Sequence, residues 1–221
     1  MEPGIQQGEL AVFQNNKGRP GHPGRRAFSW VLLVLAAAAL PGCATMYVDN
    51  SIKDIAPAEY RHPQPPQPVQ VLFSFQTKGT ANAKATEFLK KQVDETVTSS
   101  GVFASVSGEP VAGGRLLSIT INNVPLSDNA FAKGFATGLT LGLAGNVVTD
   151  GYVCTVEYQA GAGAPKITKT ASHAIHTTVG AKGAPPNATK AKNGEDAVKT
   201  MARQIVENAL KALADDPAFG Q

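Results

Sequence analysis

Two kinds of hydrophobic pattern follow one another along the chain after residue 68. Apolar residues that alternate with polar ones predict half-buried strands, at 69–76, 102–106, 115–124, 152–159 and 166–179. Apolar residues at three- and four-residue steps predict two amphipathic helices, at 82–100 and at about 197–213. Two helices on one face of a mostly antiparallel sheet form a two-layer sandwich of the α+β class, which is the predicted fold of a domain spanning 69–221.

Turn residues separate these elements and support their boundaries. Gly101 ends the first predicted helix, and Gly113 with Gly114 turns the chain into the strand that follows. The loop 160–165 connects two alternating stretches, which predicts a hairpin. Pro217 lies just past the end of the last helix, where proline is common.

The first 42 residues carry a different pattern. Residues 1–24 are polar, and Arg25 and Arg26 then precede an uncharged apolar run. That run, Phe28–Leu40, has 13 residues, whereas a membrane-spanning helix needs about 20. A positive flank before a short apolar run is typical of a secretory signal peptide, so residues 1–42 are predicted to be one. The two arginines fit both the general and the twin-arginine export route.

The apolar run ends in Leu40-Pro41-Gly42-Cys43. This motif resembles the lipobox of bacterial lipoproteins, with Leu40, Gly42 and Cys43 matching and Pro41 departing from the commoner Ala or Ser. The resemblance implies that the Cys43 thiol receives a diacylglycerol, that the chain is cut between Gly42 and Cys43, and that the new N-terminus is acylated. Two or three acyl chains hold a protein stably on a bilayer.

The residues after Cys43 bear on location and on distance from the membrane. By resemblance to sorted lipoproteins, Ala44 in place of Asp favours the outer membrane over the inner membrane, with the domain on the periplasmic side. Prolines crowd into the stretch that follows and favour extended backbone. Residues 43–68 are therefore predicted to be the lipidated N-terminus and a semi-rigid tether. A proline-rich recognition peptide is the alternative. The prolines are Pro57, Pro63, Pro65, Pro66 and Pro68.

Composition and charge exclude several classes of protein. Lys and Arg number 20 and Asp and Glu number 17 among 221 residues, for a net charge of +3. A nucleic-acid-binding domain would carry a concentrated basic face, so no nucleic-acid partner is expected. Two cysteines are too few for a disulfide scaffold or for a cysteine-based zinc site.

Candidate catalytic and metal-binding residues are few. The sequence contains no nucleophile elbow, phosphate loop or metalloprotease helix, which predicts a protein that is not an enzyme and has no cofactor. His173 and His176 would point to opposite faces of a strand, and we expect surface or edge histidines rather than metal ligands. Cys154 lies among apolar positions and is expected to be a buried, inert thiol. The acidic pairs Asp94-Glu95 and Asp215-Asp216 are expected to be solvated.

One segment stands out as a candidate contact surface. Sixteen uncharged residues lie between Lys133 and Asp150. Small residues at four-residue spacing let two helices approach closely, but glycine costs about 1 kcal/mol per residue in a helix. Three interpretations remain: a mobile loop, a protein-contact segment, or shallow insertion into the membrane. The glycines are Gly134, Gly138 and Gly142, and the bulky residues beside them are Phe131, Phe135, Leu139 and Leu143.

These patterns favour a function in binding over one in catalysis. The main hypothesis is a lipid-anchored periplasmic accessory subunit of an envelope transport, secretion or assembly complex, which would contact a protein partner or another copy of itself. The alternative is a carrier of a hydrophobic small molecule or lipid, which needs an apolar cavity of several hundred Å³ between the sheet and the helices. The sequence does not identify the partner or the ligand.

Overall fold

The computed structural model describes residues 44–125, 147–180 and 183–221. The chain divides into two units, Met1–Pro41 and Gly42–Gln221, and all the described residues belong to the second. The helices are α1 (Ala83–Ser99) and α2 (Gly194–Ala214). The strands are β1 (Ala44–Asp49), β2 (Pro68–Thr77), β3 (Thr80–Ala81), β4 (Ser105–Ser107), β5 (Leu116–Pro125), β6 (Val147–Gln159), β7 (Lys166–Val179) and β8 (Ala188–Lys190).

The strands form one mostly antiparallel sheet of eight strands, in the order β3-β2-β5-β6-β7-β1-β8, with β4 pairing with β2. Among the described strands, only the pairs β2–β5 and β2–β4 are parallel, because the chain crosses over through α1 between them. Both helices pack on one face, α1 over β2 and α2 over β7 and β6, and they also touch each other. The predicted α+β class, a two-layer sandwich, is confirmed.

Local sequence explains where both helices begin. Asn82 precedes α1, and its Oδ1 accepts a hydrogen bond from the Ala85 amide at 3.1 Å. Asn193 precedes α2 and accepts in the same way from the Asp196 amide at 2.8 Å. Such caps satisfy amide groups that have no partner inside the helix. After α1 the chain turns at Gly101, whose φ of 67° favours glycine.

The core lies between the sheet and the helices. Leu89 and Val97 of α1 and Leu213 of α2 are fully buried, and each such side chain contributes about 1.5–3 kcal/mol through burial. Phe88, which belongs to the predicted apolar stripe of α1, is instead 47% exposed, and Lys199 of α2 lies over its ring at 5.3 Å. The sheet contributes alternate residues to the same core: Val69, Val71, Leu117, Ile119, Ile121, Cys154 and Val156.

The prediction that residues 43–68 form a tether is wrong for most of its described part. Ala44–Asp49 is the strand β1, which lies between β7 and β8 in the sheet. Its partners in β7 run from Ala44 opposite Val179 to Val48 opposite Ile175. The sequence pattern missed this strand because six residues next to a proline-rich stretch carry little periodicity, and its contacts are with segments that are distant in sequence.

The proline-rich stretch is also bound to the domain. Tyr60 is only 5% exposed. The Arg61 guanidinium donates to the carbonyl oxygens of Ala214 at 2.7 Å, Asp216 at 2.6 Å and Phe219 at 2.8 Å. A cation that binds carbonyl oxygens at a helix C-terminus satisfies acceptors left without intrahelical partners. The stretch therefore lies against the C-terminal end of α2 and does not extend as a spacer.

Two further differences concern strands. β6 begins at Val147, five residues before the predicted start at 152, and the short strands β3 and β8 were not predicted. Two- or three-residue strands leave no alternation to detect. Neither of the two helices in the described ranges is long and apolar enough to cross a membrane.

Candidate functional site

Two sets of predicted functional residues lie outside the described residues: the lipidation and cleavage site, and the glycine-rich contact segment. They are Gly42, Cys43, Phe131, Gly134, Phe135, Gly138, Leu139, Gly142 and Leu143. The structure nevertheless describes the strands to which both segments are joined. Cys43 is bonded to Ala44, the first residue of β1, and the segment 126–146 connects β5 to β6.

Both junctions lie at the same end of the sheet. Ala44 is opposite Val179 at the end of β7, and Val147, the first residue of β6, is opposite Thr178. Pro125, the last residue of β5, is nearby in register because it is opposite Asp150. We call the end formed by Ala44, Val147, Val148 and Val179 the anchor end. The tertiary structure thus brings together two segments that are about 80 residues apart in sequence.

The anchor end exposes apolar side chains. Val148 is 59% exposed and Val179 is 48% exposed. The register places Val148 opposite Thr177 and Val179 opposite Ala44, so these side chains lie on the face of the sheet that also carries α2. α2 does not cover them, because it begins beside Met46, whose Sδ lies close to Gly194.

A cleft with two lysines in its lining includes Ala44, the residue opposite Val179. Its volume is about 320 Å³, and Lys190 and Lys192 both line it with exposed side chains. None of the ion pairs found within the described ranges includes either lysine. The remaining lining residues are Ala44, Thr45, Met46, Thr177, Ala191, Asn193 and Gly194.

A buried polar cluster lies on the opposite face of the sheet at this end. The His176 Nε2–H donates to Asp49 Oδ2 at 3.3 Å, and the ring's Nδ1 is 2.9 Å from Thr149 Oγ1. Asp49 and His176 are each only 1% exposed. The Ser51 amide donates to the other carboxylate oxygen, Asp49 Oδ1, at 2.7 Å. These bonds connect β1, β6 and β7, so the cluster fixes the strand that follows Cys43 to the rest of the sheet.

The electrostatics of Asp49 follow from these contacts. Burial raises the pKa of the carboxyl group, but the hydrogen bonds from His176 and Ser51 lower it by more, so the pKa lies below its usual value of 3.8. A carboxylate that accepts hydrogen bonds from two donors is favoured in its ionised form. Asp49 is therefore a buried anion, and its ionised form is stabilised by the hydrogen bonds from His176 and Ser51.

The expectation that His173 and His176 are surface or edge histidines is wrong, although they do point to opposite faces. His173 is fully buried, and its Nε2 is 2.8 Å from Gln204 Oε1 on α2. β7 is an interior strand between β6 and β1, and contacts on its two faces accompany the burial of the histidines: Gln204 contacts His173 on one face, and Asp49 and Thr149 contact His176 on the other. No group of three His, Cys, Asp or Glu residues that could hold a metal ion occurs in the described part of the chain.

His173 predicts a dependence of stability on pH. Burial lowers its pKa below the usual 6.5, and the hydrogen bond to Gln204 and the charge of Asp49 oppose this only in part. Its Nδ1 has no hydrogen-bond partner among the described residues, so a proton there would be buried and unpaired.

We expect the free energy of unfolding to fall as the pH is lowered from 7 to 5. The unfolded chain binds a proton at His173 near pH 6.5, whereas the folded chain binds it only at lower pH, so acid favours unfolding. One such group contributes at most about 1.4 kcal/mol per pH unit. Urea unfolding at several pH values should show a smaller slope for His173→Gln. The same substitution at the exposed His62 is the control, and an unchanged slope in His173→Gln would contradict the prediction.

The cysteine and the acidic pairs considered in the sequence analysis are held by burial or by ion pairs. Cys154 is fully buried, and burial raises the pKa of its thiol, as expected for an inert cysteine. Asp94 pairs with Lys90 at 2.9 Å on the surface of α1. Asp216 pairs with Lys169 at 2.6 Å, and this bond lowers the pKa of its carboxyl group. None of these contacts of Cys154, Asp94 and Asp216 places a nucleophile beside a general base.

The other end of the sheet carries a small cleft of about 220 Å³. Arg115 lines it together with the rings of Phe103, Tyr158 and Phe219, which meet in tilted and edge-to-face arrangements. Tyr158 is ten residues from Val148 along β6, so this cleft lies roughly 30 Å from the anchor end. Arg115 lies beside the Tyr158 hydroxyl.

Comparisons with known proteins assign no family to this chain. No family model matches it, and no curated protein gives a significant match. Two dodecamer structures of PelC from Paraburkholderia phytofirmans, one of a point variant, match at 13% identity with TM-scores of 0.34 and 0.33; each match covers 76% of this chain and 95% of PelC. A candidate lipoprotein from Caulobacter crescentus CB15 matches at 12% identity with a TM-score of 0.30, over 66% of this chain and 84% of its own. Similarity at this level carries no argument about function.

Proposed function

We propose that this protein is a lipid-anchored subunit on the periplasmic face of the outer membrane, and that it acts by binding a partner in an envelope complex rather than by catalysis. The observation that carries the proposal is the position of the domain boundary. The second unit of the chain begins at Gly42 and its first strand at Ala44. Cleavage before Cys43 would therefore release the whole described domain with the lipidated cysteine directly at its start.

The shared position of the two junctions supports a role in binding near the membrane. The proposed anchor at Cys43 and the segment 126–146, which contains the glycines of the predicted contact segment, both join the sheet at the anchor end. A segment that is joined to the sheet next to the proposed lipid anchor would be close to a partner that lies in or on the same membrane. The absence of charge between Lys133 and Asp150 suits such a contact, because an apolar stripe beside glycines permits close packing of another chain.

The carrier alternative finds less support. It requires an apolar cavity between sheet and helices, whereas this layer is filled by buried side chains from both. Val71 of β2, Val156 of β6 and Leu210 of α2 are each at most 1% exposed. We therefore retain the binding subunit as the function that the geometry supports best.

We expect Gly138→Leu to abolish co-purification of the partner while the domain stays folded. A leucine at this position adds a bulky side chain to the glycine stripe and blocks close approach of another chain. The partner is captured by crosslinking in intact cells and identified by mass spectrometry. Thermal unfolding of the purified variant measures the fold.

Gly108→Leu is the matched control, because a side chain built at Gly108 would meet nothing within 4 Å. This control should keep both the fold and the captured partner. If Gly138→Leu unfolds the domain as well, the segment serves core packing and the proposed contact is wrong. If Gly138→Leu is folded and captures the same partner, the contact lies elsewhere.

A further inference from the structure

We propose that the anchor end of the sheet rests directly on the bilayer and binds it. Val148 and Val179 would lie at the boundary between headgroups and acyl chains, and Lys190 and Lys192 on anionic phosphate groups. The inference deepens the proposed function and rests on the lipidation of Cys43. It commits to phospholipid as the occupant of this surface.

The first step is the length of chain between anchor and domain. A proline-rich tether over residues 43–67 would extend by roughly 75 Å. In the structure, strand β1 begins at Ala44, the next residue after Cys43, and consecutive Cα atoms are about 3.8 Å apart. Acyl chains on Cys43 that are buried in the bilayer therefore hold the start of β1 at the headgroups. No spacer remains that would let this end of the sheet stand away from the membrane.

The second step is the chemistry of the surface held there. The described residues include four large apolar side chains that are strongly exposed, and Val148 and Val179 are two of them. They lie on neighbouring strands and on one face, since Val148 is opposite Thr177 and Val179 follows two residues later. Exposed apolar side chains next to an acyl anchor add buried area when the surface meets lipid.

The third step is charge. Lys190 and Lys192 line the cleft that borders Ala44. At the start of α2, Glu195 pairs with Lys199 at 2.6 Å, and Asp196 accepts a hydrogen bond from the Lys192 backbone amide at 2.9 Å, so neither carboxylate forms an ion pair with the Lys190 or Lys192 side chain. Each basic residue near an anionic bilayer surface strengthens binding by about fivefold. Two lysines beside the anchor therefore favour the docked orientation by about 25-fold on an anionic membrane.

A fluorescent label at the anchor end tests the docking. The lipidated chain carrying Val179→Cys is labelled with a thiol-reactive NBD dye and reconstituted into phosphatidylcholine vesicles containing phosphatidylglycerol. Cys154 is fully buried and does not compete for the dye, and an acylated Cys43 has no free thiol. The matched control is Leu72→Cys, because Leu72 is 47% exposed and Val179 is 48% exposed, while Leu72 lies on the outer face of β2.

We expect the label at 179 to emit at shorter wavelength on vesicles and to be shielded from aqueous dithionite, and the label at 72 to be quenched as in solution. The double variant Lys190→Glu with Lys192→Glu should lower the ratio of molecules with a shielded label at 179 to molecules with an accessible one. We expect a decrease of at least about 25-fold on the anionic vesicles. Lys84→Glu with Lys91→Glu on α1 makes the same change in net charge and should have no effect.

The outcomes separate the two proposals. A mass spectrum that shows acylated Cys43, together with equal quenching at 179 and 72, overturns docking and leaves the anchor intact. A mass spectrum without acyl groups overturns both. A label at 179 that is shielded without vesicles, in proportion to protein concentration, identifies a second copy of the chain as the occupant and also overturns docking.

Discussion

Cys43→Ala is expected to abolish incorporation of radiolabelled palmitate and stable attachment of the mature domain to the membrane. Each buried methylene of an acyl chain contributes about 0.8 kcal/mol, so one chain holds a protein only marginally and two or three hold it stably. In the proposed lipidation, the Cys43 thiol accepts the diacylglycerol, and alanine has no such group. This is the largest effect we expect from any single substitution. It would move the whole mature domain off the membrane, although every contact within the described domain is kept.

The measurement combines palmitate labelling with cell fractionation. Cys154→Ala is the matched control, since it removes the other cysteine of the chain and should retain the label. An uncleaved signal could itself hold the Cys43→Ala precursor in the membrane, so a second variant replaces residues 1–43 by an ordinary cleavable signal. Its mature domain should be recovered in the soluble periplasmic fraction. Palmitate on Cys43→Ala, or none on the wild type, would refute the anchor.

His176→Ala is expected to lower the free energy of unfolding by about 3–5 kcal/mol. Removing one partner of a buried pair leaves the other buried and uncompensated, and the Asp49 carboxylate loses the donor at 3.3 Å. The predicted effect holds at neutral pH. Because folding lowers the pKa of Asp49, its contribution is fully present above about pH 4 and is lost as the pH falls below its usual value of 3.8.

Urea denaturation of His176→Ala, Asp49→Ala and the double variant forms a complete cycle. The double variant should be less destabilised than the sum of the two single variants, because removing both partners leaves no unpaired charge. His62→Ala is the control for the histidine, since His62 is exposed and bonds only to the carbonyl oxygens of Gly101 and Pro57. Additive effects in the cycle would show that the pair stabilises nothing beyond its packing.

This pair is also the connection between fold and proposed function. Asp49 is the last residue of β1, and Cys43 is bonded to the first. A domain held on a bilayer through β1 needs that strand to stay in the sheet, and the bonds to β6 and β7 provide a polar link in addition to the backbone ladder. We therefore expect the same substitution to weaken the packing of the strand that follows the proposed anchor.

Much of the architecture could be predicted because its patterns are local. The helices α1 and α2 follow from apolar residues at helical spacing. The long strands follow from alternation, which also placed Cys154 in the core. Where the pattern was short or interrupted, as in β1 and β8, the prediction failed.

The histidines show why the site was harder to predict than the fold. Period two along β7 placed His173 and His176 on opposite faces correctly. Their burial could not be predicted, since it depends on which segments cover each face. Gln204 reaches His173 from a helix 31 residues later in the chain, and Asp49 reaches His176 from a strand 127 residues earlier. No local signal in the sequence marks Asp49 as buried, because its burial depends on the pairing of β1 with β7.

By itself, the amino-acid sequence determined the two helices, the long alternating strands and hence the α+β class, and it supplied the motif on which the proposed anchor rests. Only the tertiary structure decided that the residues after Cys43 are a strand and not a tether, and that this strand and the glycine-rich segment join the sheet at one end. Periodicity records which face of an element is buried, whereas strand order and register depend on contacts between distant segments, such as Ala44 with Val179.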